Sequence, residues 1–94
     1  MTIKRKYGTV RLENIGPYRW YLMSILVDRD HRNCGIGTAL MKRVLRNCKG
    51  TIYLLASDGY GSEFQRLVQF YERFGFKQCK DLDDLEYNYN MIRE

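Results

Sequence analysis

Residues 18–48 read YRWYLMSILVDRDHRNCGIGTALMKRVLRNC, and the hydrophobic period changes part-way along. The first ten residues, 18–27, are aromatic and β-branched. Their second half is a nearly continuous apolar run, the pattern of a strand covered on both faces. Residues 28–34, DRDHRNC, are polar and break the strand. From Gly35 the spacing becomes helical: Ile36, Ala39, Leu40, Val44 and Cys48 recur on one face, with Lys42, Arg43, Arg46 and Lys49 on the remaining arc. Gly50 is a plausible stop, and residues 51–57, TIYLLAS, read as a second buried strand. Strand, helix and strand over 18–57 make a βαβ unit, so the two strands are expected to be parallel neighbours.

Working outward, residues 3–12, IKRKYGTVRL, predict one strand. Asn14-Ile15-Gly16-Pro17 then predicts a turn, and the two segments before residue 28 predict a β-hairpin. Downstream, Asp58 to Ser62 reads as a loop with Ser62 as N-cap. Residues 63–74 predict a helix with Phe64, Leu67, Val68, Tyr71 and Phe74 on one face, ended by Gly75. Residues 76–79 predict a short strand, Asp81-Leu82-Asp83-Asp84 an acidic loop, and residues 86–92 a last strand. The order ββ-α-β-α-β(β) is an α/β (α+β) fold: a mixed, mainly antiparallel sheet flanked by helices, in a single domain over 1–94.

The bulk numbers narrow the partners. The chain has 94 residues with 16 Lys and Arg against 11 Asp and Glu, a formal charge of +5, which favours anionic partners without choosing among them. Cys34, Cys48 and Cys79 are an odd number without a CxxC pair, and His31 is the sole histidine. A disulfide framework or zinc site is therefore not expected. The opening residues lack the apolar run of a signal peptide, and no stretch has the length of a membrane span. The expectation is a cytoplasmic protein with no membrane partner.

The chemistry concentrates where the strand ending at Val27 meets the helix beginning near Gly35. A helix N-terminus leaves N–H groups without partners and carries partial positive charge, a natural seat for a pyrophosphate. Gly35 and Gly37 lack a Cβ and let a phosphate approach the backbone, and Arg32 adds a permanent cation. The segment is not a P-loop, for no GxxxxGK[ST] string exists. Nor is it a dinucleotide fingerprint, for position 40 is Leu40 rather than glycine.

RNCGIG, residues 32–37, resembles the Q/R-x-x-G-x-G/A signature of the GNAT superfamily of acyl-CoA N-acyltransferases. The likeness extends through ILVDRDHRNCGIGTALM and to FYERFGFK, residues 70–77, which is similar to the superfamily's second motif. Residues of about 20–77 are covered. The resemblance implies acetyl-CoA as cofactor, bound through backbone groups of Ile25, Leu26 and Val27 along the pantetheine arm. It implies a pyrophosphate held by the segment Arg32, Asn33, Cys34, Gly35, Ile36, Gly37 and Thr38. It implies a strand N–H near Leu26 or Val27 that polarises the thioester carbonyl, and Tyr71 as the phenol that protonates the leaving thiolate. An amine acceptor attacks directly, with no acyl-enzyme, where the strands 18–27 and 51–57 splay apart. Three departures stand out. Asn33 replaces the usual glycine, Phe64 replaces a cofactor-contacting Asn, and only about twenty residues precede the main strand. The acceptor site is then reduced, shared with a second subunit in a homodimer, or absent.

Blander readings stand beside these. Gly35 and Gly37 fit a tight ligand-free turn, Tyr71 a packed core residue on its apolar stripe, and Arg32 a solvated cation. The basic face of the first helix fits its wet side. His31 suits phosphate or surface contact better than catalysis, and Cys34 lacks a visible base. Ser24, Asp58 and Tyr60 are candidates to line an acceptor site. Two rival functions remain: a catalytically inactive module binding CoA or a protein partner, and a basic nucleic-acid-binding domain. The second is disfavoured because the aromatics sit at strand and core positions.

Overall fold

The computed structural model describes residues 1–31, 35–56, 64–80 and 88–94. β1 (Thr2–Arg5), β2 (Gly8–Gly16) and β3 (Arg19–Val27) form an antiparallel meander. A 3-10 turn, Arg29–His31, follows β3, then α1 (Ile36–Asn47), β4 (Thr51–Leu54), α2 (Phe64–Glu72), β5 (Lys77–Gln78) and β6 (Met91–Arg93). The sheet runs β1-β2-β3-β4-β6-β5, with β3 and β4 as the parallel pair and the other four pairings antiparallel. The mixed, mainly antiparallel sheet and its central βαβ unit match the sequence reading.

The single strand expected over 3–12 is two strands. Arg5 pairs with Gly8 across a two-residue turn of Lys6 and Tyr7, and Tyr7 takes φ 69. A tyrosine rarely occupies the left-handed region, so nothing in the residue types marks the reversal. The next turn also sits later than expected: β2 runs through Asn14 and Ile15, and the chain reverses at Pro17 and Tyr18, with Tyr18 at φ 55. The last strand begins at Met91, and the predicted Ser62 cap, loop 58–62 and acidic loop 81–84 lie outside the described residues.

Two apolar clusters sit on opposite faces. Ile52 and Leu54 of β4 join Val10, Leu12, Leu22, Met91 and Phe76 with residues of both helices: Leu40, Met41 and Val44 from α1, Val68 and Tyr71 from α2. Tyr53 lies between Ile52 and Leu54 and so points the other way, where it meets Tyr21 and Tyr89. Both helices therefore serve one face of the sheet. Tyr21 donates to the Asn88 carbonyl at 2.7 Å, and Arg19 donates to the Tyr53 hydroxyl at 3.0 Å.

The strand expected to be covered on both faces is covered only in its first half. The β2–β3 register shifts between Arg11 and Leu12, which pair with Ser24 and Leu22, so Met23 is an extra residue. Before it Trp20 and Leu22 face the helices; after it Ile25 and Val27 do. Met23 and Leu26 are each 50% exposed.

Candidate functional site

The splay expected between the parallel strands is present. β3 and β4 pair from Arg19↔Thr51 to Leu22↔Leu54 and no further, although β3 continues to Val27. From Met23 to Val27, β3 has β2 on one edge and no described strand on the other. Ile25, Leu26 and Val27 thus line an open sheet edge whose backbone donors and acceptors invite an added strand. Ile25 and Val27 pack toward the core, while the Leu26 side chain points to the opposite, open face.

The N-terminus of α1 stands beside this edge. The Gly37 position lies 4.0 Å from Val27 Cγ2, measured from where a Cβ would stand. Gly35 is the N-cap at φ 80, ψ 5, and no side chain caps the helix. The Ala39 amide donates to the Gly35 carbonyl at 3.0 Å. The amides of Ile36, Gly37 and Thr38 precede that bond, so the helix ladder itself supplies them no acceptor. With the helix dipole, they make a positively polarised end. Ile36 and Thr38 are half-buried, and Arg32, Asn33 and Cys34 lie outside the described residues.

The two glycines have different roles. A Cβ on Gly35 would meet nothing within 4 Å, so what the position demands is the left-handed backbone. A Cβ on Gly37 would stand 3.3 Å from Phe70 Cζ and 3.6 Å from Cε1. The bare face of Gly37 is therefore filled by the α2 aromatic ring, where the sequence reading had it open to a phosphate.

Tyr71 is 4% exposed. Its ring meets Phe70 and Phe76 edge-on at centroid distances of 5.4 and 5.7 Å. Burial among these rings pushes the phenol from 10.0 up to about 12. The core reading of Tyr71 is thus met in full.

His31, one turn before the loop, stacks on Tyr7 with centroids 3.5 Å apart and planes 7° from parallel. The Asp28 amide donates to the Tyr7 carbonyl at 2.8 Å, and the His31 amide to the Asp28 carbonyl at 2.9 Å. The β1–β2 turn therefore holds the start of the loop that leads to α1. Sequence reasoning missed Tyr7, because the contact exists only once the unpredicted turn is formed. His31 Nδ1 is sealed from solvent and has no partner among the described residues. On α1, Arg43 donates to the Lys4 carbonyl at 3.2 Å and Lys49 to the Leu45 carbonyl at 3.4 Å. That suits the solvated-face reading of the basic arc. Among the described residues no cluster of His, Cys, Asp and Glu suits a metal ion, and no helix is long and apolar enough to cross a membrane.

A cleft between parallel strands that meets an uncapped helix end is shared with known proteins. Residues 2–78 match the family model of the acetyltransferase (GNAT) domain. The chain belongs to the GNAT acetyltransferase family. Among solved structures, a GNAT acetyltransferase from Staphylococcus aureus Mu50 is similar at 26% identity with a TM-score of 0.73, covering 93% of this chain and 58% of that one. Arabidopsis thaliana Naa50, in complex with the bisubstrate analogue CoA-Ac-MVNAL, is similar at 25% identity and TM-score 0.67, covering 94% and 65%. This GNAT chain thus spans little more than half to two thirds of the length of those two. The anti-CRISPR protein AcrVA5 shares the fold over 100% of this chain and 97% of its own, at 23% identity and TM-score 0.69. No curated protein sequence matches closely enough to count as a relative.

Proposed function

We propose that this chain transfers an acetyl group from acetyl-CoA to an amine of a small molecule or protein. The observation that carries the reading is the edge of β3 beyond Leu22, unpaired by β4 and adjoining the uncapped start of α1. These groups fit acetyl-CoA. An extended pantetheine arm matches the free edge of Ile25, Leu26 and Val27, and a diphosphate matches the amides of Gly35 to Thr38, with Arg32, Asn33 and Cys34 completing the loop. When bound, the cofactor supplies the activated acyl group.

This chain's residues orient that group and stabilise charge. A β3 amide near Leu26 or Val27 donates to the thioester carbonyl and then to the oxyanion. The amine nitrogen bonds to the acyl carbon, the carbon–sulfur bond breaks, and the ammonium proton passes to water. Tyr71 donates its phenolic hydrogen to the departing thiolate. A phenol near 12 is a weaker acid than a thiol near 8.5, so its contribution is a hydrogen bond rather than completed proton transfer. Calorimetry with acetyl-CoA, then mass-spectrometric screening of amines, polyamines and peptides, tests the reading. A folded protein with no heat at millimolar acetyl-CoA ends it.

A second reading is a module that binds CoA without turnover. It is favoured by the brevity of the region before β3, which forms only the β1–β2 hairpin, and by Met23 and Leu26 standing half-exposed beside the cleft. Heat of binding without any acetylated product would establish it. A homodimer sharing the acceptor site is a further proposal, checked by sedimentation with and without acetyl-CoA.

A further inference from the structure

We propose that Asn90 is a positioning residue that holds the end of β4 away from β3 and so keeps the cofactor cleft open; this rests on the acetyl-CoA reading above. The free edge of β3 from Met23 to Val27 is a template for any extended segment nearby. The nearest one is the continuation of β4, Leu55 and Ala56, which leaves the ladder just where pairing stops. Were it to carry on alongside β3, it would occupy the edge that the pantetheine arm needs.

The contacts of Asn90 oppose that closure. Its amide donates to the Leu54 carbonyl at 3.0 Å, and its own carbonyl accepts from the Cys79 amide at 2.9 Å. Its backbone is therefore pinned between β4 and the start of the segment after β5. Its side chain then does what a further residue of β6 would do. Oδ1 accepts from the Ala56 amide at 2.7 Å, and Nδ2 donates to the Ala56 carbonyl at 2.8 Å. A carboxamide has the donor and acceptor of a peptide group, so it extends the antiparallel ladder by one rung on the β6 side. Both polar groups of Ala56 are turned from β3 and satisfied there, and releasing them would leave a buried pair unmade. Ala56 is 3% exposed, so water is a poor substitute.

The test compares wild type, Asn90→Ala, Asn90→Asp and, as a control distant from the cleft, Cys48→Ala. Asn90→Ala is expected to raise the acetyl-CoA Kd about tenfold, from loss of two hydrogen bonds to buried groups, while kcat at saturating acetyl-CoA stays within about twofold. Asn90→Asp sets a carboxylate oxygen against the Ala56 carbonyl. Its affinity is expected to be weak at pH 8 and to recover toward wild type as acid restores an O–H donor, with folding followed by circular dichroism at each pH. Cys48→Ala loses stability and keeps its affinity. Unchanged Kd in Asn90→Ala, or equal loss in the control, overturns the proposal. Wild type that binds no acetyl-CoA overturns the functional reading beneath it, and the proposal with it, so the two failures are told apart by the first titration.

Discussion

Replacing Tyr71 by Phe separates its packing from its chemistry. The phenol is 4% exposed and is pushed by burial from 10.0 up to about 12. An acid raised on folding is protonated in the native chain while the unfolded chain ionises. Stability from that difference is whole below pH 10 and lost as pH rises toward 12. Two units correspond to about 2.7 kcal/mol in full, of which about 1.4 kcal/mol is gone by pH 11. Urea unfolding of wild type and Tyr71→Phe at pH 8, 9, 10 and 11 reads this directly, because the other tyrosines cancel in the difference. At pH 8 the two proteins are expected within about 0.5 kcal/mol, since the hydroxyl has no hydrogen-bond partner among the described residues. By pH 11 the variant is expected to be the more stable by about 1 kcal/mol or more. In turnover, the variant is expected to lose about ten- to a hundredfold in kcat with acetyl-CoA affinity within about twofold. Parallel stability curves from pH 8 to 11 would refute the burial argument, and unchanged kcat would remove Tyr71 from the reaction.

Other perturbations read other parts of the site. Gly35→Ala keeps open space around its Cβ but forces an L-residue to φ 80; a loss of about 1 kcal/mol in urea unfolding is expected. Gly37→Val presses on Phe70, already 3.3 Å from a single Cβ, and is expected to cost about 1–3 kcal/mol by thermal unfolding. Leu40→Ala empties a fully buried site under α1, with about 2–5 kcal/mol lost. Arg93→Ala removes the 2.7 Å hydrogen bond from Nε to the Phe74 carbonyl at the end of α2, and is expected to lower stability by about 1 kcal/mol.

The βαβ unit was legible because its hydrophobic period changes from that of a strand to that of a helix within one polar loop, between Val27 and Gly35. The parallel pairing and the splay followed from that. The site's glycines were legible as types but not as roles, since only the packing of α2 on α1 places Phe70 against Gly37. Tyr7 hid its turn by adopting a backbone that tyrosines seldom take. Asn90 read as one more polar residue in an alternating strand, because its value lies in Ala56, 34 residues earlier. Helical and strand periods report which side faces in; they carry no information on which distant backbone a carboxamide will meet.

The surplus residue at Met23 sets a rule for length. The two halves of β3 present opposite parities to the helices, Trp20 and Leu22 even, Ile25 and Val27 odd. Deleting one residue at that point would still leave an unbroken strand, yet Ile25 and Val27 would then be aligned to turn outward while Ser24 and Leu26 turned in. Point substitutions along this stretch are matters of degree, whereas a change of one in its residue count reassigns every side chain that follows.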